Sequence, residues 1–135
     1  MKKSSVEASL LTLTEVGIIL YWLFAALVAI GFINVAPETM YSDFENPIVV
    51  AWNWSFFPLD ILFAVLGLLS RYGGLTVRRT ELLSVISLSL MFCAGLMALS
   101  FWTLTGDYDP TWWAMNSWLL MLAGWVLVSR YRELP

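Results

Sequence analysis

Two carboxylates fall inside long apolar stretches of this chain, and their chemistry asks for an explanation. Asp60 lies 12 residues into the run from Ile48 to Ser70. At helical rise that is about 18 Å along the axis, near the middle of an apolar layer roughly 30 Å thick. Inserting a carboxylate there costs roughly 2.5–3.5 kcal/mol. It must face other helices or a water-filled cavity, protonated or hydrogen-bonded. Asn53, Asp60 and Gly67 recur every seven residues and share one helix face, which Arg71 continues. Pro58 removes a backbone donor and leaves the Trp54 carbonyl without its helical partner. Either the helix kinks and opens space beside Asp60, or the proline is simply tolerated. Glu15 is the second carboxylate, on a face with Trp22, Ala25, Ala26 and Ala29. Two outcomes are open for it. It can meet Asp60 across a bundle and share a proton, or it can reach water or a loop cation such as Arg78. Asn116 sits about one turn into the last apolar run, at a depth like that of Asn53, so the two amides could bond across the outer half. Glu15, Asn53, Asp60 and Asn116, flanked by Trp54 and Trp102, are the candidate ligand-binding residues.

Other chemistry is excluded by composition. The chain has no His and one Cys, Cys93. That removes a His base, a Ser-His-Asp triad, an internal disulfide and a CxxC site. No catalytic set, metal-ligand set or cofactor motif is legible. The formal net charge is −3, so nucleic acid is not an expected partner. Cys93, in mid-run, reads as a small apolar filler.

The elements that must hold these residues follow from hydropathy. Hydrophobic residues make up 60% of 135 and charged ones 13%, against about 45–50% and 25% in soluble domains. A soluble globule of this size still exposes roughly 30% of its unfolded surface, too much for such a chain. Four apolar runs read as helical spans over about residues 12–35, 48–70, 82–104 and 111–129 of one transmembrane domain, residues 1–135. The first is too long for a signal-peptide core. Pro47 and Pro110 precede spans two and four, where proline opens a helix without loss. Short links predict an up-down-up-down, antiparallel four-helix transmembrane bundle.

All seven cations, Lys2, Lys3, Arg71, Arg78, Arg79, Arg130 and Arg132, then fall on one side, while Glu38, Asp43, Glu45, Asp107 and Asp109 fall on the other. The positive-inside rule places both termini in the cytoplasm. Trp52, Trp54, Trp102, Trp112 and Trp113 collect at the opposite ends of the spans, as an interfacial belt or, on the sharper reading, a ligand box. Span three offers Ser84, Ser87, Met91, Ala94, Gly95, Ala98 and Trp102 on one face, a pattern suited to close helix packing.

Several segments carry a family resemblance. They are Ala51-Trp52-Asn53-Trp54-Ser55-Phe56-Phe57-Pro58-Leu59-Asp60, Gly67-Leu68-Leu69-Ser70, Phe92-Cys93-Ala94-Gly95-Leu96, and Gly106-Asp107-Tyr108-Asp109-Pro110-Thr111-Trp112-Trp113 followed by Asn116. Over about Leu10 to Val128 the chain resembles the YvaD-like family, small bacterial membrane proteins without an assigned function. The resemblance implies a four-helix membrane protein with an acidic residue after Leu-Thr, here Leu13-Thr14-Glu15, and implies no reaction. Thr14-Glu15-Val16-Gly17 is also similar to the first helix of small multidrug-resistance transporters. The one-sided cations and the long acidic link after span one depart from that pattern.

The functional expectation is a non-enzymatic module in the lipid bilayer that binds a small amphipathic ligand or lipid, or serves as an accessory subunit, alone, as a homo-oligomer or in a membrane complex. A proton-linked small-molecule transporter, or an intramembrane enzyme acting on a lipid or isoprenoid through Glu15 and Asp60, are the alternatives.

Overall fold

A computed structural model describes residues 5–36 and 41–132. Lys2, Lys3, Pro37 and Glu38 lie outside the described residues. Four helices run α1 (Ser5–Ala29), α2 (Pro47–Tyr72), α3 (Val77–Thr105) and α4 (Pro110–Arg132). All four are long and apolar enough to cross a membrane.

Local chemistry sets the helix starts. The Asn46 side chain accepts the Ile48 N–H at 3.0 Å, and Pro47 fills the first helical position. Asp109 does the same for α4, accepting from the Thr111 and Trp112 N–H groups at 2.8 and 3.1 Å. The end of α1 differs from the hydropathy reading. The apolar run continues to Val35, but the helix stops at Ala29. Gly31 takes a left-handed φ of 74° and donates to the Val28 carbonyl, while the Phe32 N–H reaches back to Leu27. Hydropathy cannot see this turn, because residues beyond it stay apolar for another reason: Val35 packs against Tyr41, Val49 and Trp102. At its other end α1 starts at Ser5, well ahead of the expected residue 12.

Neighbouring helices pack in chain order, and α1 meets α4 along a narrower seam. Cross-contacts show the antiparallel register. Glu15 faces Arg71 and Trp22 faces Asp60 between α1 and α2. Ser87 Oγ donates to the Phe63 carbonyl between α3 and α2 at 2.7 Å. Arg130 donates to Ser84 between α4 and α3. The α1–α4 seam is closed by Trp118 donating to Thr14 at 2.9 Å and by the Arg130–Glu7 pair at 3.3 Å.

Small residues let the backbones approach. A Cβ on Gly95 would stand 2.6 Å from the Asn116 carbonyl and 2.9 Å from the Leu120 nitrogen. The span-three face of Ser84, Ser87, Met91, Ala94, Gly95, Ala98 and Trp102 is buried throughout, as a packing stripe requires. The outside of the bundle is the inverse of a soluble surface: Leu20, Phe24, Leu62, Met97, Met121 and Trp125 point outward. Cys93 is among these exposed residues. It is not a core filler, because its position falls opposite the Ala94–Gly95 packing face.

Two further expectations change. Pro58 lies on the exposed face of a continuous α2, while Asp60, two residues and roughly 200° further round, is covered. The proline therefore opens no space onto Asp60. The tryptophans read as a lipid-facing belt turn inward as well. Trp52 stacks on Phe101 at 3.8 Å between centroids and meets Trp102 edge-on at 5.5 Å. Trp112 meets Tyr21 and Tyr41. Aromatic edge and face contacts contribute about 0.5–1.5 kcal/mol beyond their burial, so rings able to reach one another gain by leaving the interface.

Candidate functional site

The α1–α2 interface carries two buried carboxylate sites, about two helical turns apart. Seven residues separate Glu15 from Trp22 on α1 and Asp60 from Gly67 on α2, which is about 10 Å of rise. The antiparallel register sets Glu15 beside Gly67 and Trp22 beside Asp60.

At the end of the bundle that holds the arginines, Glu15 is 1% exposed and pairs with the Arg71 guanidinium, itself 5% exposed. Arg71 Nε donates to Thr12 Oγ1 at 3.2 Å, and Thr12 shares a 2.9 Å hydrogen bond with the Tyr72 hydroxyl. Gly67 is what admits the carboxylate: a Cβ there would collide with Glu15 and stand 2.8 Å from Ser87 Oγ. Burying a charge in an apolar medium is tolerable only when it is paired and hydrogen-bonded. Here the chain supplies the counter-charge itself, and Thr12 accepts from the arginine.

The second site lies deeper. Asp60 is 7% exposed, and its Oδ2 accepts the Trp22 indole N–H at 2.9 Å. Its Oδ1 has no hydrogen-bond partner among the described residues. The hydroxyl of Tyr21 lies toward Asn53, with Asp60 nearby. Aromatic rings crowd the site. Trp22 is 5.3 Å from Trp54, 5.3 Å from Phe57 and 5.2 Å from Tyr21 between centroids. Above it, Tyr41 packs on Phe44 and Trp112. Its phenol has no hydrogen-bond partner among the described residues, and burial pushes its pKa above the ordinary tyrosine value.

The structure thus divides the residues chosen from sequence. Asp60, Asn53 and Trp54 surround Trp22 and Tyr21. Glu15 belongs to the other site: it meets neither Asp60 nor the exposed Arg78, because Arg71 reaches it first. Asn116 does not bond Asn53; its amide donates to the Trp112 carbonyl of its own helix at 2.8 Å. Trp102 packs with Trp52, Tyr41 and Val49 in a separate cluster. Trp22 and Tyr21 are the site residues that sequence reasoning passed over. A signal for Trp22 was present: Glu15 and Trp22 repeat at the same spacing as Gly67 and Asp60, so antiparallel pairing of these two stripes brings Trp22 to Asp60. Among the described residues no three His, Cys, Asp or Glu side chains converge as a metal site would need.

Fold and sites together define a small all-helical bundle of membrane-span character with two buried carboxylates. Residues 7–133 match the model of a family of unknown function, DUF5360, and the chain belongs to that family. It is 46% identical over 109 residues to the uncharacterised protein YvaD of Bacillus subtilis strain 168, an alignment covering 80% of this chain and 78% of that protein. The YvaD-like resemblance carried by the tryptophan, glycine and aspartate segments is thereby shown. No solved structure matches the chain.

Proposed function

We propose that this is a multi-pass protein of the bacterial plasma membrane, with both termini in the cytoplasm, that binds a small amphipathic ligand or lipid at Asp60. The observation that carries the reading is the unfilled Oδ1 of Asp60 amid aromatic rings. A buried polar atom left without a partner costs stability, which a bound molecule would recover. Glu15 supplies the contrast, since its carboxylate already has a cationic partner in Arg71. Acid–base catalysis shared between Glu15 and Asp60 has no support, because the two groups sit at different levels with different partners. A proton-linked carrier is the second reading, favoured by the same oxygen, which a proton would also satisfy.

The test is to purify wild type and Asp60→Asn from native-like membranes and compare the bound small molecules by mass spectrometry. The binding reading expects an amphiphile enriched over bulk lipid in the wild type and lost from a folded Asp60→Asn. Identical extracts reject it. Topology is checked separately. With Cys93 replaced by Ser, Arg79→Cys and Asp107→Cys should label from opposite faces of the membrane; labelling from one face rejects the orientation.

A further inference from the structure

Among the described residues no cation stands against the Asp60 carboxylate. The described cations, Arg71, Arg78, Arg79, Arg130 and Arg132, lie at or beyond the other end of the spans, while the links at this end carry Asp43, Glu45, Asp107 and Asp109. The polar groups near Asp60 from α1 are the Trp22 indole and the Tyr21 phenol, the latter set toward Asn53 two turns along α2. From the α4 side the nearest element is Trp112, packed edge-on against Tyr21 at 5.7 Å, with Tyr41 behind it. None of these is cationic. An ionised carboxylate buried without positive charge is strongly disfavoured.

What surrounds the carboxylate selects the kind of cation. Calcium and magnesium demand about six or more oxygen ligands, and this site offers one carboxylate and one phenol among rings. Indole and phenyl faces attract organic cations instead, most strongly where water is excluded. The ring cluster also reaches the lipid-facing surface, because Phe57, which touches both Trp22 and Trp54, is 40% exposed. We infer that the ligand of the Asp60 site is an organic cation, a protonated or quaternary ammonium head on an apolar body. The head would take Asp60 Oδ1 as its counter-ion at the edge of the Trp22, Trp54 and Phe57 ring cluster, which must part to admit it, and the body would leave past Phe57 toward lipid. This inference rests on the binding reading above and gives it a ligand class.

The test uses the full chain in nanodiscs of neutral phosphatidylcholine. Three probes share one hexyl tail: hexyltrimethylammonium, hexanol and hexanesulfonate. The Trp22 indole N–H signal, assigned with Trp22→Phe, reports on the site by NMR. The ammonium probe should shift this signal saturably, and the neutral and anionic probes should not. Asp60→Asn keeps an acceptor for Trp22 and should weaken the ammonium response about tenfold or more. Trp54→Leu keeps the carboxylate and should weaken it less, which guards against misreading a folding defect. An equal response to hexanol, or an ammonium response unchanged in Asp60→Asn, overturns the inference. So does no response to the ammonium probe. If an amphiphile still co-purifies with wild type and not with Asp60→Asn, the binding reading survives and only the ligand class falls. If nothing co-purifies, both fall.

Discussion

Glu15 and Asp60 are carboxylates on the same helix pair, both buried, about two turns apart, and the bundle treats them in opposite ways. Glu15 lies where α2 ends and can draw in the last-turn Arg71, while Gly67 clears space for the contact. Asp60 lies deeper in α2, beyond the reach of the cations at the helix ends, and receives one neutral donor from Trp22. The difference teaches that burial alone does not mark a functional carboxylate. A buried charge closed by its own chain behaves as a structural part. One left half-satisfied is the candidate for outside chemistry.

That contrast can be broken by substitution. Glu15→Gln strands the buried Arg71 guanidinium and should cost about 3–5 kcal/mol, the usual penalty for removing one partner of a buried pair. Thermal unfolding in nanodiscs should show a large loss, and Glu15→Gln with Arg71→Met should recover most of it. If the single change is silent, Glu15 is not closed by Arg71. Gly67→Ala attacks the same site through space. Its methyl group must displace Glu15 or Ser87, and overpacking of this kind costs about 1–3 kcal/mol. The same unfolding assay checks it, and Gly17→Ala, which meets nothing nearby, is the matched control.

Asp60→Asn should do far less to the bundle. The amide oxygen still accepts from Trp22 and no charge needs burial, so stability should change by about 1 kcal/mol or less, in either direction. A loss as large as that of Glu15→Gln would erase the distinction between the two sites. Tyr41→Phe is expected to have the smallest effect at neutral pH, since the hydroxyl it removes has no hydrogen-bond partner among the described residues. Its signature is alkaline. Burial raises the folded-state pKa of this phenol, so its contribution is intact below the ordinary tyrosine value of about 10. It is lost as pH rises from there through the higher folded value. Melting curves should therefore fall less steeply with alkaline pH in Tyr41→Phe than in wild type.

Much of the fold was legible residue by residue. Pro47 and Pro110, each behind a capping side chain, announced two helix starts, and the serine and small-residue face of α3 announced its packing side. The seven-residue repeat of Asn53, Asp60 and Gly67 announced the face that α2 turns to α1. The site was only half legible. Depth along a run identified Asp60 as costly, yet Trp22 looked like one more apolar residue, and Asn116, Trp102 and Glu15 looked like its companions. Side-chain type reports what a group can bond to. It does not report which of several eligible partners arrives first, and here Arg71 took Glu15, a backbone carbonyl took Asn116, and other rings took Trp102.

By itself, then, the sequence determined four apolar helices, their alternation and the gathering of the arginines at one end of them. These follow from composition along the chain, which is local information. The tertiary structure alone decided that one carboxylate is neutralised and the other left open. That outcome depends on the register between α1 and α2 and on the clearance a single glycine provides, distances that arise only when two helices pack.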